Sequence, residues 1–170
     1  MPRGPTGFDR AARSVVKSCA MFTETITPRF GDSDGLRHVN NTVIPGWFEQ
    51  ARNPIYRIFN PEFVFEEWNL ILARYEIDFV RPLVINGDVT VKTWISRIGS
   101  SSFEVSQEAL QGGELCTRGK TVLVHYDFGA ARPVPIPPAI RGLLSEHLAG
   151  PDGSGSRHDR DSTRGGGCTP

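Results

Sequence analysis

The chain has 170 residues, enough for one domain with a substantial core and too few for two comfortable ones. Lys plus Arg and Asp plus Glu each number 19, so no global field draws the chain to nucleic acid or to an anionic membrane. Charged residues interrupt every apolar run before the roughly 18–20 residues that a membrane-spanning helix needs, so no membrane span is expected.

Residues 1–20 carry Arg3, Arg10, Arg13 and Lys17 against a lone Asp9, and charge breaks the Ala11–Val16 stretch before a signal-peptide apolar core can form. This segment reads either as a weakly targeting-like amphipathic arm or as an extension ahead of a start at Met21; the second reading is adopted, because the segment offers no packing face. The single domain is expected over residues 21–149. Thr23–Phe30 alternates as a first strand and runs into the turn cluster Gly31-Asp32-Ser33-Asp34-Gly35. From Ile44 the apolar residues Trp47, Phe48, Ala51, Ile55 and Ile58 recur at three and four, which predicts a helix starting near Asn41 and kinked or ended by Pro54. The period then changes to two. Ala73–Phe79, Val89–Ile95, Phe103–Ala109 and Thr117–Tyr126 read as strands, with turns at Asn86-Gly87, Gly99-Ser100-Ser101 and Gly112-Gly113. A short amphipathic stretch follows at Pro138–Leu148. Residues 150–170 are Gly, Ser, Asp and Arg with almost no apolar side chains and are expected to be a disordered tail. The three cysteines, Cys19, Cys116 and Cys168, form no CxxC pair and fit neither a disulfide framework nor a zinc site, so a reducing cytoplasm is the simplest compartment.

The expected architecture is α+β: one strand, a long apolar helix, and four strands in an antiparallel meander. The helix stripe needs an apolar partner, and the sheet is the only large surface available to wrap around it. Arg29-Phe30-Gly31-Asp32-Ser33-Asp34-Gly35-Leu36-Arg37-His38-Val39-Asn40-Asn41, followed by Trp47-Phe48-Glu49-Gln50-Ala51-Arg52, resembles the signature of the 4-hydroxybenzoyl-CoA thioesterase family of hotdog proteins. A weaker likeness continues through Arg81-Pro82 and Gly87-Asp88 to Arg97–Phe103, so that it covers roughly Thr23 to Asp127. The resemblance implies an acyl thioester hydrolase. It places the catalytic carboxylate on Asp34 and the oxyanion-binding amide, the N–H opening the central helix, on Asn41.

The chemistry is coherent, because thioester hydrolysis needs a nucleophile or base beside preorganised donors, and a helix N-terminus supplies such donors. Asp34 would act either as nucleophile, through a mixed anhydride, or as a base on water. Each residue also has a plainer reading. Asp32 and Asp34 can shape a turn, His38 can be a structural loop histidine or orient Asp34, and Asn40 can cap the helix or meet substrate. Glu49 lies on the helix away from the apolar stripe, either solvated or directed at a neighbouring subunit's site, and is the backup carboxylate. Arg81, and Arg97 with Ser100 and Ser101, are either surface residues or binders of coenzyme A phosphates. The expected partners are acyl-CoA or acyl-carrier protein and further copies of the chain, as homodimer or homotetramer. No cofactor or metal is expected beyond the coenzyme A thioester itself. The competing functions are a hotdog hydro-lyase acting on hydroxyacyl thioesters, for which the His38–Glu49 spacing is off, and a non-enzymatic acyl-CoA sensor.

Overall fold

Period-two alternation becomes strand, and the three-and-four spacing becomes helix, nearly everywhere the sequence shows them. The structure, a computed structural model, describes residues 21–149; the expectations for residues 1–20 and 150–170 lie outside the described residues. β1 (Phe22–Ile26) leads to a single 3-10 turn at Phe30–Asp32, then to α1 (Ile44–Ala51) and α2 (Asn53–Phe59). After a second 3-10 turn at Phe65–Glu67 come β2 (Leu70–Phe79), β3 (Val89–Ile98), β4 (Ser102–Gln111), β5 (Glu114–Asp127), the short β6 (Arg132–Pro133) and α3 (Pro138–Glu146).

Three expectations need correction. The long helix is two helices: α1 ends at Ala51, Arg52 joins them, and Pro54 sits in the first turn of α2, where its missing N–H costs nothing. The helix also begins at Ile44 rather than near Asn41, after a turn closed by the Val43 N–H donating to the Asn40 carbonyl at 3.0 Å. The four later strands are not a simple meander. The sheet order is β1-β3-β4-β5-β2, all antiparallel, so the tight turns at Gly99–Ser101 and Gly112–Gly113 make the hairpins β3–β4 and β4–β5, while β2 crosses to pair with β5. β2 is therefore an edge strand.

Thr93, Gln107, Gly119 and Ile77 stand opposite one another across β3, β4, β5 and β2, and this row meets α1. Phe48 is fully buried above Gly119, where an added Cβ would come within 2.5 Å of the ring. Glycine lets the helix lie this close to the sheet. Gln107 ties the two layers together, its Nε2 donating to the Phe48 carbonyl at 2.9 Å and to Thr93 Oγ1 at 3.0 Å. Arg52, only 2% exposed, donates from Nε to the Tyr56 hydroxyl at 2.9 Å and from Nη1 to Gln107 Oε1 at 3.0 Å and Thr121 Oγ1 at 3.2 Å. Two apolar clusters fill the space between the layers. One joins Val39, Ile44, Phe48, Leu83, Val89, Val91 and Ala109; the other joins Ile55, Leu70, Ile95, Phe103, Leu123 and Leu144 beneath α2 and α3.

Candidate active site

The Asp-rich turn cluster folds into a loop closed on itself and pinned to the sheet. Ser33 and Val39 form an antiparallel bridge, the Asp34 N–H donates to the His38 carbonyl at 2.8 Å, and Arg37 takes the left-handed conformation at φ 66° that the reversal requires. Asp34 Oδ1 accepts from the backbone N–H groups of Leu36 at 2.7 Å and His38 at 3.0 Å. These two bonds fix the carboxyl group. Its other oxygen, Oδ2, has no hydrogen-bond partner among the described residues. Asp32 acts structurally, since its Oδ2 accepts from the Arg29 N–H at 2.7 Å and closes the 3-10 turn.

Beyond Val39 the chain turns into α1. Asn40 Oδ1 accepts from the N–H and hydroxyl of Thr42, at 3.0 and 2.8 Å, so Asn40 holds the turn that precedes the helix. The N–H of Asn41 has no hydrogen-bond partner among the described residues. Across from it, residues 80–84 strap the loop to the sheet: Val80 and Arg81 donate to the Cys116 carbonyl at 2.8 and 3.0 Å, and Val39 donates to the Leu83 carbonyl at 2.8 Å. Asp34, His38, Asn41, Ile44, Phe79 and Arg81 line the resulting cavity of about 290 Å³. Arg81, ion-paired with Glu114, is more than half exposed on that cavity.

One lining residue went unnoticed in the sequence. Thr117, on β5, is 1% exposed, and its hydroxyl has no partner among the described residues. A threonine in a half-buried strand carries no signal of its own; the register that sets Thr117 beside Phe79 brings it to this cavity.

Glu49 is elsewhere. It is exposed and lines a separate cavity of about 250 Å³ with Pro45, Arg52, Tyr56, Tyr75 and Leu72, on the flank of α1 that faces β2. Burial pushes the Tyr75 hydroxyl up to about 12, with the Arg52 charge opposing and the Glu49 charge adding to the shift. Arg97, Ser100 and Ser101 lie at the other end of the sheet. Ile98 packs into the α2–α3 cluster, the Ser100 carbonyl accepts from Ile136, and the Ser101 carbonyl accepts from His125, so within one chain these residues are not brought to Asp34.

A family model described as thioesterase-like superfamily matches residues 28–144, a span that includes the Asp34 loop, α1, α2 and the sheet from β2 to β5. The chain belongs to the thioesterase-like superfamily. It is a thioester hydrolase of the hotdog fold, an antiparallel sheet wrapped around its helix. A predicted thioesterase from Bacillus stearothermophilus is 43% identical, with a TM-score of 0.76 over 78% of this chain and 99% of that one. A Thermus thermophilus thioesterase solved with coenzyme A and zinc is 33% identical, with a TM-score of 0.65 over 72% of this chain and 90% of that one. A 1,4-dihydroxy-2-naphthoyl-CoA thioesterase from Synechocystis, 18% identical, shares the fold with a TM-score of 0.66 over 74% of this chain and 96% of that one. An uncharacterized Bacillus subtilis protein, YsmA, is 24% identical over 69% of this chain and 81% of its own length. Among the described residues no helix of this thioesterase is long and apolar enough to cross a membrane.

Proposed function

We propose that this thioesterase hydrolyses acyl-CoA, with Asp34 as the working carboxylate and the Asn41 N–H as an oxyanion donor. One observation carries the reading: a carboxyl group anchored through one oxygen, with the other free, lines the same cavity as an unpartnered backbone donor. Anchoring removes the need to order Asp34 at the moment of reaction, and the N–H stabilises the negative charge that develops on the acyl oxygen. Asp34 either attacks the acyl carbon, expelling the thiolate to leave an anhydride that water opens, or takes a proton from water that attacks directly. Both routes break the C–S bond, add one water and release a free acid and a thiol. The reading needs no group beyond the thioester and water.

The coenzyme A seen in the Thermus relative supports a coenzyme A thioester over a carrier-protein one. Arg81, at the same cavity, suits the coenzyme A phosphates, while Arg97 and Ser100–Ser101 meet the same ligand only if a second subunit brings them there. His38 lines the cavity without a hydrogen bond from its ring among the described residues and serves to contact substrate or Asp34. The buried free thiol of Cys116 suits a reducing, cytoplasmic setting.

The test is release of free thiol from short, long and aromatic acyl-CoA thioesters by the wild-type protein and by Asp34→Asn. Turnover should fall on the order of 10² to 10⁴ in the variant with the melting temperature retained. Near-normal turnover of Asp34→Asn together with its loss in Glu49→Gln would move the carboxylate to α1. An enoyl absorbance without thiol release would make the protein a hydro-lyase, and binding with neither would make it a sensor.

A further inference from the structure

The mechanism leaves the second cavity unused, and its chemistry is unusual. Arg52 is 2% exposed, yet none of the ion pairs among the described residues includes it; its three hydrogen bonds go to the neutral acceptors of Tyr56, Gln107 and Thr121. A buried charge without a counter-charge is costly, and proteins normally pair one. Arg52 Nη2, with two N–H groups, has no partner among the described residues. Tyr75 supplies a further donor, because its hydroxyl is buried and unpartnered and lines the same cavity. Two unsatisfied donors, one of them cationic, thus line a space that they share with Tyr56 and the exposed Glu49 and that is otherwise walled by apolar residues, among them Trp68, Leu70 and Leu72.

The two cavities are lined by neighbouring residues of α1 and β2. Ile44 lines one and Pro45 the other, and on β2 Phe79 lines one and Tyr75 the other, four residues apart on the same face. Arg52 lies seven residues beyond Pro45, about 10 Å along the helix axis. An acyl chain whose thioester sits at Asp34 and which runs along α1 would bring its far end there.

We propose that the cavity between α1 and β2 is a subsite for a carboxylate at the far end of the acyl group, bound by the free Nη2 of Arg52 and the Tyr75 hydroxyl. The substrates would be coenzyme A monothioesters of dicarboxylic acids. The proposal rests on the acyl-CoA reading of the Asp34 site. Tyr75 remains a neutral donor across the working pH range, since burial holds its proton. Glu49, exposed in the same cavity, is the carboxylate among its lining residues that competes for Arg52, and it repels a second anion.

The experiment compares adipoyl-CoA with hexanoyl-CoA, equal in carbon number, for hydrolysis, and their non-hydrolysable thioether counterparts for binding. Wild type should favour the carboxyl-ended member at least about tenfold in both readouts. Tyr75→Phe should narrow that ratio, and Glu49→Gln should widen it. Equal handling of the two ends by wild type and by Glu49→Gln, or an unchanged ratio in Tyr75→Phe, would overturn the subsite while hexanoyl-CoA turnover left the thioesterase reading standing. If neither thioester is hydrolysed, the thioether binding ratio still decides the subsite.

Discussion

Two aspartates two residues apart do different work, and the hydrogen bonds separate them. Asp32 stabilises a turn through the Arg29 N–H, so Asp32→Ala should lower stability by about 1 kcal/mol, read as a melting-temperature shift, with turnover largely kept. Thr117 is the converse case. Its buried hydroxyl has no partner among the described residues, so Thr117→Val should leave the melting temperature unchanged or raise it, because an unpaired polar group is removed without loss of shape. If that hydroxyl meets substrate or water beside Asp34, turnover should fall about tenfold, an effect a purely structural threonine would not show. Tyr75 carries a pH signature. Its proton is held to about 12 in the folded protein against 10 in the unfolded chain, so its contribution to stability is complete below pH 10 and is lost as pH rises from 10 to about 12. Tyr75→Phe should therefore lessen the alkaline fall in melting temperature over that interval. Asp34, His38 and Asn41 were legible because one short loop carries all three; Thr117, Tyr75 and Arg52 reach their cavities only through strand register and a helix junction that no local pattern encodes.

At the scale of elements, periodicity identified the strands and the helix but not the order of the sheet. The turns Gly99–Ser101 and Gly112–Gly113 are short enough to force adjacent strands together, which makes β3–β4–β5 readable. Asn86-Gly87 looks alike in sequence but lies inside the longer connection of residues 80–88, which straps the Asp34 loop and leaves β2 free to pair with β5. Pro54 marked the helix break correctly, since its ring can start a helix and cannot sit within one. The closeness of α1 to the sheet was invisible, because it depends on Gly119 lying under Phe48 across 71 residues of sequence. Gly119→Ala would push the Phe48 ring or its helix outward, and should destabilise the fold by about 1–3 kcal/mol in a denaturant titration. Because α1 carries Ile44 and Pro45 into the two cavities, the same variant should also lose turnover out of proportion to the protein unfolded.

For the whole molecule, the decisive feature is the free edge of β2. Ten residues long and, among the described residues, paired only with β5, it presents an unbonded row of backbone groups, with Leu72 52% and Phe79 55% exposed on it and Val80 48% exposed just beyond its end. Long free edges are normally covered, and isologous pairing of two copies covers both at once. Both cavities are bordered by this strand, through Leu72 and Tyr75 on one side and Phe79 on the other, so a second copy on β2 would also wall in the acyl group and exclude water from it. A homodimer, or a tetramer built from it, is therefore expected in solution. Leu72→Lys, at the end of β2 away from the Asp34 cavity, should place a charge in that contact, shift sedimentation toward the 18.8 kDa chain and lower turnover with the dimer population. A wild-type protein that sediments as a monomer at micromolar concentration, or a Leu72→Lys monomer with full activity, would show that each chain completes its site alone and that the β2 edge serves another purpose.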